Sequence, residues 1–337
     1  MGTLYIDRKD MSVRLDGGAL ALYSSGCREG LVPLAPIKRV VIASSALVET
    51  RVLARLAAMN INVIFLSGRG LSFAGVLRGR LHNNGLLRVR QYEALRNGFA
   101  LEYAREVVKK KLLAQRDLLR LAALRRPDLE TGLLRGAETL DSVLASMKNC
   151  ATLKNLRGLE GGGAAAYFSA YTSLFAPSLG FMARNRRPPR DPVNALLSLV
   201  YTLLFNEALR EAQVIGLDPT IGFLHDFEYG RDSLACDLME PYRPLADELV
   251  WVFFRDRVFR REDFMKDAGA DGCFLGKRGR KKFYGEYEEW ATGVRPLLRD
   301  DARALARRIM NHGEEKDAVS CGEEGAPRTE GRPEPLD

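Results

Sequence analysis

The chain has 337 residues, 46% of them hydrophobic, and a formal charge of +8. That is material for two ordinary domains with packed cores. It offers no run of about 18 uncharged apolar residues to cross a membrane, no basic-then-apolar leader and no Cys-x-x-Cys pair among five dispersed cysteines, which argues against a zinc ribbon or a disulfide framework and for a reducing cytoplasm.

The first part reads as β structure. LYID (3–6), MSVRLDG (11–17) and ALALYS (19–24) are short apolar or alternating runs between charged and glycine-containing turns. IKRVVIAS (37–44) and INVIFLSG (61–68) are strand-like and rich in β-branched residues, and FAGVLRG (73–79) closes the series. Between them, residues 48–60 carry Val48, Val52, Leu53, Leu56 and Met59 at helix spacing. The expectation is a β domain over residues 1–78 with one helix, a linker over 79–94, a larger all-α domain over 95–312 and a disordered acidic tail over 313–337. At about 78 residues the β domain is too small to bury all its faces, which favours a homodimer.

From Leu101 the spacing of Leu101, Ala104, Val108 and Leu112 predicts an amphipathic helix whose exposed side includes Lys109, Lys110 and Lys111. Residues 190–216 are the clearest helix: Asp191 suits the N-cap, Pro192 the first turn and Gly216 the stop. Helices are also expected over 245–259 and Leu297–Met310. The tail has eight acids against three bases, so the preceding 312 residues carry +13. It has too few apolar residues to order itself.

Two stretches hold the chemistry. GFLHDFEYGRDSLACDLMEPYRP (222–244) places His225 among Asp226, Glu228, Asp232, Asp237 and Glu240. On one unbroken helix His225 and Glu240 would lie about 22 Å apart, so sharing an ion requires a reversal, which Gly230 permits and which Asp232 or Ser233 could follow as a helix cap. The stretch is either a solvated loop between core helices or part of a metal site. In NLRGLEGGGAAAYF (155–168), three glycines follow Glu160. Each costs a helix roughly 1 kcal/mol relative to alanine. They form either a flexible loop or a place where a backbone or phosphate approaches Glu160 closely. A set of two glutamates and a histidine suits Mg²⁺ or Mn²⁺ better than structural zinc.

Two basic clusters accompany these motifs. ARNRRPPR (183–190) supplies Arg184, Arg186, Arg187 and Arg190; GKRGRKK (276–282) supplies Lys277, Arg278, Arg280, Lys281 and Lys282 on a glycine-containing, flexible segment. Phe283, Tyr284 and Tyr287 follow and could stack on bases. On a basic body the clusters are expected to contact DNA phosphates.

With these residues in view, the chain resembles the CRISPR-associated endonuclease/integrase family, the first-numbered Cas protein. The N-terminal β domain, NLRGLEGGGAAAYF, RRPPRDPVNALLSLVYTLL and GFLHDFEYGRDSLACDLMEPYRP carry the likeness, which spans most of residues 1–312. It implies an α+β chain: a small β domain that pairs two protomers, then a helical domain holding a divalent ion on Glu160, His225 and Glu240. Asp237 falls on an acidic position near the site. Glutamate reaches one methylene further than aspartate, which also favours Glu240 as ligand and Asp237 as a supporting acceptor or a ligand of a second ion. The resemblance further implies a small ferredoxin-like Cas partner in a heterohexamer, and the joining of captured DNA 3′ ends to the CRISPR repeat array. Two other readings stand beside it: a partner-independent metal-dependent repair nuclease, and a non-enzymatic nucleic-acid-binding scaffold.

Overall fold

The computed structural model describes residues 2–79, 84–96, 98–185, 188–267 and 270–323. The N-terminal part contains strands β1 (Thr3–Ile6), β2 (Met11–Asp16), β3 (Ala19–Ser24), β4 (Cys27–Pro33), β5 (Arg39–Ile42) and β6 (Ala46–Val48), helix α1 (Thr50–Ala58), and strands β7 (Asn62–Ser67) and β8 (Ser72–Leu77). They form two four-stranded sheets, ordered β1-β5-β7-β8 and β4-β3-β2-β6. The turn from β3 to β4 uses Ser25 and Gly26, both at positive φ, as a two-residue hairpin loop of the kind that strand twist requires. Strand β4 goes beyond the sequence expectation: most of CREGLVP faces solvent, so it lacks the apolar alternation that marks a buried strand.

The β1-β5-β7-β8 sheet is covered on both faces. Val40, Ile42 and Val63 point into a core shared with Met11, Val13, Leu20, Val52 and Leu56. Their neighbours Val41, Ile64 and Leu66 point the other way, into the core of the helical part. Side chains alternate along a strand, so a strand buried on both sides reads as an unbroken apolar run, as INVIFLS does. This corrects the premise that the β domain leaves whole faces uncovered: the helices of its own chain cover one.

The remaining elements are α2 (Gly85–Ala94), α3 (Phe99–Arg125), α4 (Glu130–Ser146), α5 (Leu153–Thr172), α6 (Pro192–Ile215), α7 (Ser233–Met239), α8 (Arg243–Arg255), a hairpin of β9 (Phe264–Asp267) and β10 (Ala270–Leu275), and α9 (Lys277–Glu323). Three expectations change, and one open alternative is decided. The 79–94 linker is largely α2, capped by Asn84, whose side chain accepts from the Leu87 amide at 3.0 Å. The helical domain is not all-α, since it contains the β9–β10 hairpin. The last helix runs on through Glu323, so the tail is helical for its first residues; residues 324–337 lie outside those described. The glycine run is no loop, because residues 161–163 lie inside α5. A Cβ on Gly163 would stand 2.7 Å from Leu112 Cδ2, so this glycine lets α5 close on α3.

Helix α6 ends where its caps dictate. The Asp191 carboxylate accepts from the Asn194 amide at 2.8 Å, Pro192 opens the first turn, and Gly216 stops the helix at φ 99°. By length and composition α6 could cross a membrane, yet 78% of its most apolar window is buried inside the protein. Charged groups tie β5 to the helices. Arg39 on β5 pairs with Glu207 on α6, and Arg295 on α9 bonds Glu207 at 2.9 Å and Glu288 at 2.9 Å. Burial, with the like charge of Arg295 beside it, pushes the Arg39 guanidinium down to about 10, still a cation at neutral pH.

Candidate metal and nucleic-acid site

The 222–244 stretch folds around one buried carboxylate. Asp237, on α7, is fully buried. Its Oδ2 accepts from the amides of Phe223 at 2.6 Å and Leu224 at 2.9 Å, and its Oδ1 accepts from the amide of His225 at 3.1 Å. Three successive backbone donors thus hold this carboxylate in place. The close approach depends on Gly222: a Cβ there would stand 2.8 Å from the Ser233 carbonyl carbon and 2.9 Å from Asp237 Oδ2. Gly230, at φ 73°, helps the reversal expected between His225 and Glu240. Asp232 precedes α7 but its side chain does not cap it; the Ser233 hydroxyl instead donates to the Asp226 carbonyl at 2.8 Å.

Asp237 also aims the imidazole. His225 Nδ1 lies 2.6 Å from Asp237 Oδ1. With Nδ1–H donating to that carboxylate, Nε2 keeps its lone pair, the arrangement in which histidine serves as a metal ligand. Nε2 faces Glu240 Oε1 at 3.9 Å.

Two glutamates from different elements meet at one cation. Glu160 projects from α5, and Glu240 opens the short turn between α7 and α8. The ammonium of Lys111, on α3, pairs with Glu160 and lies 2.6 Å from Glu240 Oε2. Arg243 Nε approaches Glu240 Oε1 at 2.8 Å. Burial alone would raise the Glu240 carboxyl, but Arg243, Lys111 and His225 outweigh it and hold the group at about 2. Burial likewise opposes the Lys111 charge, and Glu240 and Glu160 overcome it, raising its pKa. The side chains of Glu240 and Lys111 are 5% and 8% exposed, whereas those of Glu160 and His225 are 26% and 23% exposed. The cluster is closed at its base and open at its mouth.

A further layer supports Arg243. The Tyr201 ring is flanked by the guanidiniums of Arg243 at 4.8 Å and Arg184 at 5.4 Å, and its hydroxyl donates to the buried Asp247. Tyr167 donates to the same carboxylate at 2.9 Å. Burial pushes Asp247 up to about 6, the two tyrosine hydroxyls pulling it back.

Among the described residues, no three His, Cys, Asp or Glu side chains stand close enough together to hold a metal ion at once. The carboxylates of Glu160 and Glu240 instead share an ammonium. The donor chemistry still fits a divalent ion. Two carboxylates converge on one positive charge, an imidazole nitrogen stands beside one of them, and Gly161 and Gly162 leave open space next to Glu160.

The basic clusters divide. Lys277, Arg278, Lys281 and Arg190 are exposed. Arg280 is committed to Asp7 at 2.8 Å, and Lys282 to the Val258 carbonyl at 2.5 Å. Arg184 bonds Asn194 and Ser198 beneath the surface, and Arg186 and Arg187 lie outside the described residues. GKRGRKK is not a flexible loop: from Lys277 it is the first turns of α9, where a Cβ on Gly279 would meet the Asp263 carbonyl oxygen at 2.8 Å. Phe283, Tyr284 and Tyr287 are buried, so they stack on no base. Lys111, expected on the exposed side of its helix, is 6% exposed. The signal for this is in the sequence: Lys111 sits four residues after Val107 and three after Val108, on the apolar stripe.

The sequence profile of the family described as CRISPR associated protein Cas1 matches residues 4–289. A protein of Thermodesulfovibrio yellowstonii named CRISPR-associated endonuclease Cas1 1 is 46% identical over 321 residues, covering 95% of this chain and 100% of that protein. Among solved structures, a casposase bound to its integration product superposes with a TM-score of 0.78 at 22% identity, covering 91% of each chain. A chain of a Cas6-RT-Cas1–Cas2 complex superposes with a TM-score of 0.80 at 22% identity, covering 92% of this chain and 35% of that one. These two likenesses concern the fold. The profile match and the close relative show that this chain belongs to the CRISPR-associated Cas1 family.

Proposed function

We propose that the chain is a divalent-metal-dependent DNA endonuclease and integrase of CRISPR adaptation, which joins the 3′-hydroxyl ends of short captured DNA to the repeat array. The observation that carries the reading is the convergence of Glu160 and Glu240 on one cation position, with His225 beside Glu240 and with Glu160 and His225 reaching solvent. In this reading Glu160, His225 and Glu240 hold the ion. Asp237 supports His225, and Arg243 fixes the Glu240 carboxylate. A bound Mg²⁺ or Mn²⁺ would polarise a phosphoryl oxygen and stabilise the charge that develops on it.

The reaction exchanges one phosphodiester for another. A bond forms from the attacking 3′-oxygen to phosphorus while the bond to the departing 3′-oxygen breaks, and the proton lost by one hydroxyl is gained by the other. No ATP is needed. With water as nucleophile the same centre cuts DNA. Lys277, Arg278, Lys281 and Arg190 offer exposed charge for the phosphate backbone. We assign a homodimer formed through the β domain, where strand β4 is a sheet edge with Leu31 half exposed, and a heterohexamer with a small ferredoxin-like Cas partner.

The test is strand transfer of a short duplex into repeat-containing DNA, with Mg²⁺, Mn²⁺ or chelator, and with and without the partner. Half-site products that need both ion and repeat are expected. Cleavage of branched DNA with no such products would favour a repair nuclease. DNA binding indifferent to chelator, with no chemistry at all, would favour a scaffold.

A further inference from the structure

The place where Glu160 and Glu240 converge is already taken by a cation of the chain's own. Lys111 lies on α3, its partners on α5 and on the turn after α7, so the contact joins three separate segments. An ammonium on a four-carbon stem is a compact charge that can withdraw without moving the helix that carries it. Its surroundings make it more than a surface pair. The Lys111 side chain is 8% exposed, and the Glu240 carboxylate it contacts is 5% exposed, so neither charge is compensated by bulk water. Without Lys111 the two glutamates would lose the cation they share, and Glu240 would keep only Arg243 and His225 beside it.

We propose that Lys111 is a built-in counter-ion of the metal centre: its ammonium holds Glu160 and Glu240 together in the metal-free protein, and a divalent ion binds only by displacing it. The proposal rests on the reading of Glu160 and Glu240 as ligands and adds how the ion gains access. Two consequences follow from charge alone. First, like-charged carboxylates stay close together without the ion, so the site is shaped before metal arrives. Second, every ion that binds must expel a positive charge from a poorly solvated place, which weakens affinity and raises the metal concentration needed to half-fill the site. A centre so guarded takes up its ion readily only when further anionic groups, such as DNA phosphates, add to the attraction.

The experiment titrates Mn²⁺ into the full-length, DNA-free protein, following the free ion by electron paramagnetic resonance, and records thermal melting with and without Mn²⁺. Lys111→Met removes the charge and keeps most of the stem; Lys111→Arg keeps a cation in place. Lys111→Met is expected to bind Mn²⁺ about tenfold or more tightly than the natural protein, since a unit charge within contact distance of the site is gone. It should also melt lower without metal and gain more from Mn²⁺ than the natural protein does. Lys111→Arg should keep the weak affinity. If Lys111→Met fails to fold, Lys111→Gln, whose amide can donate to one carboxylate, is measured in its place with the same expectation. Unchanged or weaker Mn²⁺ binding in the neutral variants would overturn the proposal, as would tight binding by Lys111→Arg. Glu240→Gln separates the two ideas. If the natural protein binds Mn²⁺ and Glu240→Gln does not, while the neutral Lys111 variants match the natural protein, the counter-ion fails and the ligand assignment stands. If Glu240→Gln binds Mn²⁺ as the natural protein does, both fail.

Discussion

Two buried ionic clusters in this chain look alike on paper and differ in one respect. At the junction of sheet and helices, Arg39, Glu207, Arg295 and Glu288 link β5, α6 and α9. At the candidate site, Lys111, Glu160, Glu240, Arg243, His225 and Asp237 link α3, α5, α7 and α8. The side chains of Arg39 and Glu207 are 8% and 4% exposed, and the junction reaches solvent through Glu288. The second cluster is equally deep at Glu240 and reaches solvent through Glu160 and His225. What differs is the cation between the carboxylates. At the junction, two planar guanidiniums fork onto Glu207 and Glu288 and fix the arrangement of their elements. At the site, one compact ammonium on a flexible stem lies between Glu160 and Glu240, with an imidazole nitrogen alongside, and such a cation can give way to another. Charge and burial of single residues do not separate the two; the kind of cation does.

The largest effect should come from breaking the candidate-site cluster. Replacing Glu160 or His225 by Ala is expected to reduce strand transfer by about a thousandfold or more, corresponding to the several kcal/mol that a catalytic ion contributes. DNA binding should stay nearly intact, because it rests on the basic surface. Turnover assays beside filter-binding curves decide it, and a parallel loss of both would show a folding defect instead of a catalytic one.

The junction cluster should fail in the opposite way. Glu207→Ala leaves the buried Arg39 without its carboxylate and beside Arg295, which keeps Glu288, a loss of about 3–5 kcal/mol in stability. Strand transfer per folded molecule should change little at temperatures where the variant remains folded. Urea unfolding combined with activity at low temperature tests this. A variant as stable as the natural protein would mean the junction is wetter than its burial indicates.

Asp237 lies between the extremes, buried like the junction but bonded to a site residue. Asp237→Asn should weaken Mn²⁺ binding by about 10–100-fold, the usual consequence of disturbing a group that orients a metal-binding histidine. High Mn²⁺ should restore part of the strand transfer. If Asp237→Asn abolishes ion binding while Glu240→Gln keeps it, the two carboxylates have exchanged roles.

The smallest effect belongs to the surface. Neutralising Lys277, Arg278 and Lys281 should flatten the log–log salt dependence of DNA affinity by about 0.9 for each phosphate that no longer meets a positive charge. Arg280→Ala should leave the slope nearly unchanged, since that side chain is occupied by Asp7. Equal slopes in both experiments would return the start of α9 to an ordinary solvated helix face.

Features that are local, or carried by close motifs, could be read from the residues alone. The hairpin of β2 and β3, the helix from Asp191 to Gly216 and the reversal at Gly230 are set by neighbouring residues, through turn chemistry, caps and spacing. Glu160 and His225 draw attention by the glycines and acids around them, but spacing does not choose between Asp237 and Glu240, and the set Glu160, His225 and Glu240 is what the family resemblance implies. Tertiary structure decided everything that depends on who lies opposite. The run of glycines after Glu160 has the composition of a loop, yet it lies inside α5, where Gly163 lets that helix close on Leu112 of α3. Lys111 reads as one of three solvated lysines, and is the partner of two glutamates far along the chain. The bases of GKRGRKK read as one patch, and separate into exposed and committed members according to Asp7 and Val258. Burial of a charge is favourable only when an opposite charge or a donor arrives from elsewhere in the fold, and long-range pairing of that kind leaves no trace in local periodicity.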